Sequence, residues 1–132
     1  MAVRVIPHSS YNVLNLDQPE LYSGRVEFYD VNQQQLTLKF FSQQDELSAS
    51  FKIHFAVVHY IDLPARWQGA NIHTASEERC WEVLMQVLGP SVAKPDMKIK
   101  NELLEEFRLF IIHVRQVNYR ILASNAIELA AP

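Results

Sequence analysis

The clearest structural signal in this sequence is the stretch 50–61, which reads SFKIHFAVVHYI. Apolar and more polar positions alternate along it with a period of two, which predicts a β-strand with one buried face. The face expected to be buried carries Phe51, Ile53, Phe55, Val57 and Ile61, and the other carries Lys52, His54, Ala56, Val58 and Tyr60. Because the second face is also fairly apolar, we expect it to be partly covered.

A β-hairpin is predicted immediately before this strand. Residues 25–30 form a short strand, residues 31–34 a polar connection, and residues 35–40 a second strand in which apolar and polar positions alternate. A polar tip at residues 42–46 then leads into the strand at 50–61. Together these segments predict an antiparallel meander with one strongly apolar face.

A helix is predicted over residues 75–88. Thr74 is the expected N-cap, and Glu77 three residues later completes a capping box in which the two side chains satisfy free N–H groups reciprocally. Apolar residues recur at helical spacing as far as Leu88, and Gly89 followed by a proline ends the helix. We interpret the following residues, up to 100, as a loop within a single domain that spans 1–132.

The C-terminal third permits two interpretations. Residues 101–123 fit one long helix, because their apolar positions match a helical template and no Gly or Pro interrupts them. They are also rich in the β-branched and aromatic residues that favour strands. We expect a short helical lead-in at 102–106, a buried strand at 107–114 and its partner at 119–123. The predicted fold class is therefore α+β, an antiparallel sheet with the helix at about 75–88 packed on one face.

The composition indicates an ordinary soluble globular protein. The chain of 132 residues is 48% hydrophobic and carries a formal net charge of −3, and its apolar runs are far shorter than the about 20 residues of a membrane span. Cys80 is the only cysteine, and nothing at the N-terminus resembles a signal peptide, so a cytoplasmic location is expected. The 12 Lys and Arg residues are dispersed along the chain, so we expect neither nucleic acid nor membrane as a partner.

Motifs for catalysis or cofactor binding are not recognisable. With three glycines in the chain, a glycine-rich phosphate loop is excluded. His54 and His59 are five residues apart on one strand and should leave opposite faces of the sheet, so we expect no metal site and no cofactor. Cys80 is a candidate nucleophile near a helix N-terminus, but its apolar neighbours favour a small buried side chain, and we assign no catalytic residue.

The best candidate for a binding surface is the loop that contains Arg66 and Trp67. Arg, Trp and Tyr are the residues that most often anchor protein interfaces. The alternative for Trp67 is that it folds back to cap the edge of the core. Tyr60, His59 and His113 complete the candidate binding residues, because we expect them near the mouth of a pocket between sheet and helix.

These observations favour a non-catalytic protein-interaction or regulatory module over an enzyme. Two alternatives stay open: a curved-sheet protein that holds a small ligand, and, with the least support, a hydrolase that uses Cys80 and a histidine. A homodimer or another protein partner is expected, because residues 107–122 and the second face of 50–61 offer more apolar side chains than one helix and one sheet face absorb.

Overall fold

The secondary structure follows the predicted α+β pattern. A computed structural model of the chain describes residues 2–42, 50–89 and 96–131. In chain order the elements in these ranges are β1 (Ala2–Val5), β2 (Tyr22–Asp30), β3 (Gln35–Ser42), β4 (Phe51–Phe55), β5 (Tyr60–Ile61), β6 (Arg66–Gln68), β7 (Ile72–Thr74), α1 (Glu77–Leu88), α2 (Met97–Glu106), β8 (Phe107–Val114), β9 (Val117–Ser124) and β10 (Ala126–Ala130). A single 3₁₀ turn, Pro19–Leu21, precedes β2. No helix in the described ranges is both long and apolar enough to cross a membrane.

The strands form two antiparallel sheets. Sheet A has the order β1-β10-β4-β3-β2-β6, and sheet B has the order β5-β9-β8-β7. The predicted meander is present as β2, β3 and β4, which are neighbours in sheet A. The strand interpretation of the C-terminal third is confirmed by β8 and β9, and the alternative of one helix over 101–123 is wrong. The helical lead-in is α2, which begins at Met97 and is longer than predicted.

The β2–β3 hairpin closes where the sequence indicates. Asp30 is paired with Gln35, and the Asp30 Oδ1 atom accepts the backbone N–H groups of Asn32 at 2.9 Å and Gln33 at 3.1 Å. This Asx-type bonding is a typical turn stabiliser. Most of the predicted polar tip at 42–46 and much of the predicted loop at 89–100 lie outside the described residues.

The strand predicted over 50–61 is divided between the two sheets. β4 ends at Phe55, and β5 begins at Tyr60 in sheet B. Between them Val57 has a φ of +53°, a left-handed conformation that is strained for a β-branched residue. Hydrogen bonds hold it on both sides, from the Ser124 N–H to the Ala56 carbonyl and from the Val58 N–H to the Gln34 carbonyl. The alternation therefore shifts by one residue, and Val58, predicted to lie on the second face, is buried in the core between the sheets.

Sheet B is buried on both faces. The strand β8 has six consecutive buried residues, 107–112. Phe110 and Ile112 pack in the core between the sheets, whereas Leu109 and Ile111 pack beneath the helices. A strand buried on both faces shows no alternation of polarity, which explains why its sequence fits a helical template equally well.

Helix α1 is confirmed, but its predicted N-cap is wrong. The N-cap is Ser76, whose Oγ accepts the Arg79 N–H at 3.2 Å. Thr74 instead ends β7, is 2% exposed, and exchanges hydrogen bonds with an N-terminal segment through its hydroxyl, which donates to Pro7 O and accepts from Ser10 N. Thr74 and Ser76 are both good capping residues, so the local sequence alone does not discriminate between them.

A buried arginine joins the helix layer to the N-terminal segment. Arg108 is 8% exposed, and its guanidinium donates hydrogen bonds to the carbonyl oxygens of Ile6, Leu104, Glu105 and Phe107. Because a cation is costly to desolvate, burial lowers the pKa of Arg108. The bonds to Leu104 and Glu105 satisfy carbonyl groups that have no intrahelical partner at the C-terminus of α2.

The molecule has three layers: sheet A, sheet B and the two helices. One core cluster lies between the sheets and another lies between sheet B and the helices. The predicted helix thus covers sheet B, while the apolar face of the meander packs on the other side of that sheet. The outer face of sheet A, where residues of β3 are only half-buried at every second position, is covered by no other layer in the described part of the chain.

Candidate functional site

His59 and Tyr60, two of the predicted binding residues, lie at the side of sheet B that the helices cover. The His59 ring contacts the Phe107 ring, with centroids 5.1 Å apart, and its Nδ1 atom is 3.3 Å from the side-chain amide nitrogen of Gln34. Tyr60 packs against the cluster beneath the helices. Both side chains are thus engaged in contacts within the chain.

The Tyr60 hydroxyl also belongs to a polar cluster that connects β5 to β9. It accepts a hydrogen bond from Arg120 Nη2 at 3.0 Å, and Arg120 Nε donates to Asp62 Oδ2 at 2.9 Å. The backbone N–H of Arg120 donates to the other carboxylate oxygen. The hydrogen bond to Asp62 raises the pKa of Arg120. This arrangement aligns two strands and satisfies its own polar atoms, as a structural cluster does.

Trp67 folds back onto the core, which is the alternative that the sequence left open for it. It is 8% exposed, its indole N–H donates to the Gly69 carbonyl at 3.0 Å, and its ring meets Phe40 edge to face. Gly24 makes room for it, because a Cβ atom at that position would lie 2.6 Å from Trp67 Cε2. The buried Trp67 anchors β6 to sheet A, and its neighbours Arg66 and Gln68 are exposed.

His113 lies at the other end of β8, near the β8–β9 turn. Its Nδ1 atom is 2.5 Å from Asn118 Oδ1, and it borders a cavity of about 370 Å³ together with Glu20 and Arg115. Burial, and then the charge of His113, lowers the pKa of the neighbouring His73. The structure therefore places His113 apart from His59 and Tyr60.

The described residues hold no group of three or more His, Cys, Asp or Glu side chains arranged to bind a metal ion. His54 lies on the outer face of sheet A, where its Nδ1 atom is 3.0 Å from the Thr37 hydroxyl. His59, by contrast, lies beside Phe107 in sheet B. His54 therefore belongs to sheet A and His59 packs against sheet B, which separates them more than opposite faces of one strand would.

Cys80 is fully buried, as its position on the apolar face of α1 predicts. Its sulfur lies 3.8 Å from the Phe107 carbonyl oxygen. Burial raises the pKa of the Cys80 thiol to about 11, whereas a nucleophilic cysteine needs a lowered pKa and access to solvent. These surroundings are those of a packing residue.

Four basic side chains lie opposite one another on adjacent strands of sheet A. Arg66 on β6 is paired with Arg25 on β2. Lys39 on β3 is paired with Arg25 on one side and with Lys52, which is on β4, on the other side. Partners of this kind project from the same face of a sheet, and their neighbours along the strands are the buried residues. This set, the basic row, thus crosses the open face of sheet A and spans about 14 Å at the usual strand spacing.

The two arginines of the basic row are closely spaced. The backbone N–H of Val26 donates to the Ala65 carbonyl at 3.0 Å, so Val26 and Ala65 form a hydrogen-bonded pair. Because the two kinds of pair alternate along an antiparallel ladder, Arg25 and Arg66 form a non-hydrogen-bonded pair. Side chains are nearest in such non-hydrogen-bonded pairs. Like charges placed directly opposite one another destabilise a sheet.

Within the described residues, most of the row has no carboxylate partner. Lys52 Nζ lies 3.0 Å from a carboxylate oxygen of Glu27. The other two ion pairs found within residues 2–42, 50–89 and 96–131 lie elsewhere. Arg25, Lys39 and Arg66 therefore have no described carboxylate partner, and the arginine end of the row carries the greater uncompensated charge.

Two adjoining depressions follow the row. One, of about 340 Å³, is bordered by Arg25, Arg66, Phe41 and Gln68. The second, of about 230 Å³, shares Arg25 and Phe41 with the first and extends to Lys39. The Arg25 guanidinium carbon lies 5.9 Å from the centroid of the Phe41 ring. The surface thus combines cations with one half-buried aromatic ring.

The helix layer, on the opposite side of the molecule, carries more acidic than basic residues. Six exposed glutamates lie on the two helices: Glu77, Glu78, Glu82, Glu102, Glu105 and Glu106. The net charge of −3 therefore conceals an uneven distribution, with a basic sheet face and an acidic helix layer separated by sheet B.

The sequence analysis missed the basic row because its members are 13 or 14 residues apart in the chain. Each occupies an outward-facing position of a strand, which the alternation alone reveals for Lys39 and Lys52. Whether such positions meet depends on strand register and order, and Arg66 joins the row only because the buried Trp67 turns residues 66–68 into an edge strand. The Lys and Arg residues are dispersed along the chain, but four of them lie in one row in the folded protein.

Comparison with known proteins adds no functional information. No protein-family model, curated protein or solved structure matches this chain.

Proposed function

We propose that this chain is a non-catalytic protein-interaction module that docks an acidic protein surface against the basic row. The observation that carries the proposal is the register of Arg66, Arg25, Lys39 and Lys52 across four strands. A row of like charges lowers the stability of the free protein. An acidic partner offsets this repulsion when it binds, and electrostatic complementarity of this kind speeds and orients association.

A protein partner is favoured over nucleic acid by the amount and extent of the positive charge. The chain as a whole is acidic, with a net charge of −3, so a long polyanion is repelled once it extends beyond the row. Glu27 also neutralises Lys52 at one end. A localised acidic patch on a protein matches a row of about 14 Å better than a continuous phosphate backbone does.

A different protein is favoured over a second copy of the chain. Most of the apolar residues that suggested a homodimer are buried within one molecule: Val58 and Phe110 pack between the sheets, and Leu109 packs beneath the helices. Val117 is the exception, at 50% exposed. Two copies joined face to face through sheet A by a two-fold axis bring their basic rows together, which is unfavourable.

The test is a binding titration with chemically defined probes. The probes are a glutamate-rich peptide and a single-stranded oligonucleotide of equal charge, each labelled and followed by fluorescence anisotropy at low and physiological salt. The triple variant Arg25→Gln/Lys39→Gln/Arg66→Gln removes three charges of the row, and Arg79→Gln/Lys98→Gln/Arg115→Gln removes three charges from other surfaces. We expect the acidic peptide to bind the wild type and the control variant. It should bind the row variant about threefold to a hundredfold more weakly, because three exposed pairs of about 0.2–1 kcal/mol each are lost.

Three results contradict the proposal. They are no measurable binding of the acidic peptide at low salt, equal loss in both triple variants, and tighter binding of the oligonucleotide than of the peptide. Light scattering of the same samples reports whether a second copy is the occupant, and a dimer that the row variant abolishes also contradicts it.

A further inference from the structure

The arginine end of the basic row differs from its lysine end. Lys52 is ion-paired with Glu27, and Lys39 offers a single ammonium group. Arg25 and Arg66 are directly opposed, have no described carboxylate partner, and border the depression of about 340 Å³. The uncompensated positive charge is therefore concentrated at this pair rather than spread along the row, and an anion is expected to bind most strongly there.

Two arginines at directly opposed strand positions, bordering one depression, select a particular anion. Each guanidinium presents a planar fork of N–H donors that binds two oxygen atoms. One carboxylate has two oxygens and one charge, and so satisfies one fork. A phosphate monoester has three terminal oxygens and a charge of about −1.5 to −2 at pH 7, and so satisfies both forks and both charges.

The surroundings of the pair favour one orientation of Arg25 and provide an apolar contact. The Arg25 guanidinium lies over the Phe41 ring at 5.9 Å, and such stacking limits the rotation of the guanidinium plane. Phe41 and Gln68 border the same depression. The depression therefore has charge for a phosphate group and an aromatic surface for the carbon atoms of the residue that carries it.

We infer that Arg25 and Arg66 form a subsite for a phosphate monoester carried by the docked protein, so that phosphorylation of the partner strengthens its binding. This inference rests on the proposed function, because it assigns the partner's modification to one end of the same surface. Lys39 and Lys52 then contact ordinary carboxylates of the partner.

The experiment compares three acidic peptides that differ at one central position, which is phosphoserine, glutamate or serine, together with inorganic phosphate as a free anion. The variants are Arg25→Lys and Arg66→Lys, which keep the charge but remove the fork, and the control is Lys39→Arg. Affinities are measured by isothermal titration calorimetry, and thermal melting verifies that each variant is folded.

We expect the phosphoserine peptide to bind at least about tenfold more tightly than the glutamate peptide. Either Arg→Lys change should reduce this preference to about twofold or less, because loss of the fork weakens the phosphoserine peptide more than the glutamate peptide. The preference should persist in Lys39→Arg. Inorganic phosphate should bind much more weakly than the phosphopeptide, because it lacks the contacts of the rest of the peptide.

The possible failures are distinguishable. Equal affinity for the phosphoserine and glutamate peptides overturns the phosphate subsite and leaves the acidic docking surface intact. Inorganic phosphate that binds as tightly as the phosphopeptide overturns the partner-borne phosphate in favour of a free anion. Failure of all three acidic peptides to bind overturns the proposed function itself.

Discussion

Sheet A and sheet B are both antiparallel, but they are buried in different ways. In β3 of sheet A every second residue is buried, whereas in β8 of sheet B six successive residues are. A residue of β8 is therefore constrained by packing whichever way it points. The outward positions of sheet A are free of that constraint and carry the basic row. The difference predicts that substitutions in sheet B affect stability most, and it leaves the outer face of sheet A available for the proposed binding role.

The largest effect that this comparison predicts is at Phe110. Its side chain is fully buried in sheet B and meets the Phe55 ring edge to face at 5.1 Å. Phe110→Ala should lower the free energy of unfolding by about 3–5 kcal/mol. Phe28 on sheet A is 50% exposed, and Phe28→Ala should cost less than about 1 kcal/mol. Urea denaturation measures both, and similar losses would contradict the division between the sheets.

Cys80 tests how tightly the helix layer closes over sheet B. Because the thiol is fully buried and its pKa is raised to about 11, a thiol reagent at pH 8 should react at least about a hundredfold more slowly with the folded protein than with the urea-unfolded protein. Absorbance of the released chromophore follows the reaction. Rapid stoichiometric labelling of the folded protein would revive Cys80 as a nucleophile.

Gly24 tests the packing beneath the basic row. An added Cβ would lie 2.6 Å from Trp67 Cε2 and 2.7 Å from Phe40 Cε1, so Gly24→Ala should displace Trp67 and cost about 1–3 kcal/mol. Gly89→Ala is the matched control, since an added Cβ there meets no atom within 4 Å and φ is −47°. Thermal melting should separate the two variants. Equal melting temperatures would indicate that Trp67 is not held against Gly24.

The start of α1 separates the roles of Ser76 and Thr74. Ser76→Ala should cost about 1 kcal/mol and speed amide exchange of Arg79, whose N–H loses its acceptor. Thr74→Val should also destabilise the protein by about 1–3 kcal/mol, because Ser10 N loses its acceptor and Pro7 O loses one of its two donors. Exchange should then increase in the N-terminal segment and not in α1. Faster exchange in α1 after Thr74→Val would restore Thr74 as the N-cap.

The smallest effect on stability is expected at the basic row. Because Arg66 lies directly opposite Arg25, Arg66→Gln should raise the free energy of unfolding by roughly 0.2–0.5 kcal/mol at low salt. Added salt should stabilise the wild type, because it screens the repulsion between the two arginines. It should have less effect on the variant, which lacks this repulsion. Chemical denaturation at two salt concentrations measures the difference. A clear loss of stability in Arg66→Gln would show that the arginine is structural.

Local sequence signals predicted those elements whose two sides differ in polarity. In the predicted hairpin, residues 35–40 alternate in polarity and residues 31–34 form a polar connection, and both features appear in the structure. The 50–61 stretch shows the limit of this signal, because its alternation continues through Val57 although the chain changes sheet there. The polarity of neighbouring residues does not indicate the left-handed conformation of Val57, because residues distant in the chain, Gln34 and Ser124, hold it in place.

The candidate site was less predictable than the fold. Arg66 was identified from its residue type beside Trp67, and it does lie on the open face of sheet A. Trp67 itself is in the core, and His59, Tyr60 and His113 lie in other surroundings. Residue type indicates what a side chain is able to bind, but the convergence of side chains depends on which strands become neighbours.

The sequence by itself determined the α+β class, the hairpin, the helix near 75–88 and the burial of Cys80, because polarity period and helix-ending residues act over a few neighbours. Only the tertiary structure decided that the strands form two sheets, that sheet B is enclosed on both sides, and that four cations from β2, β3, β4 and β6 share one row. The physical reason is that strand order and register depend on long-range packing, as when Trp67 fills the space above Gly24 and brings Arg66 beside Arg25.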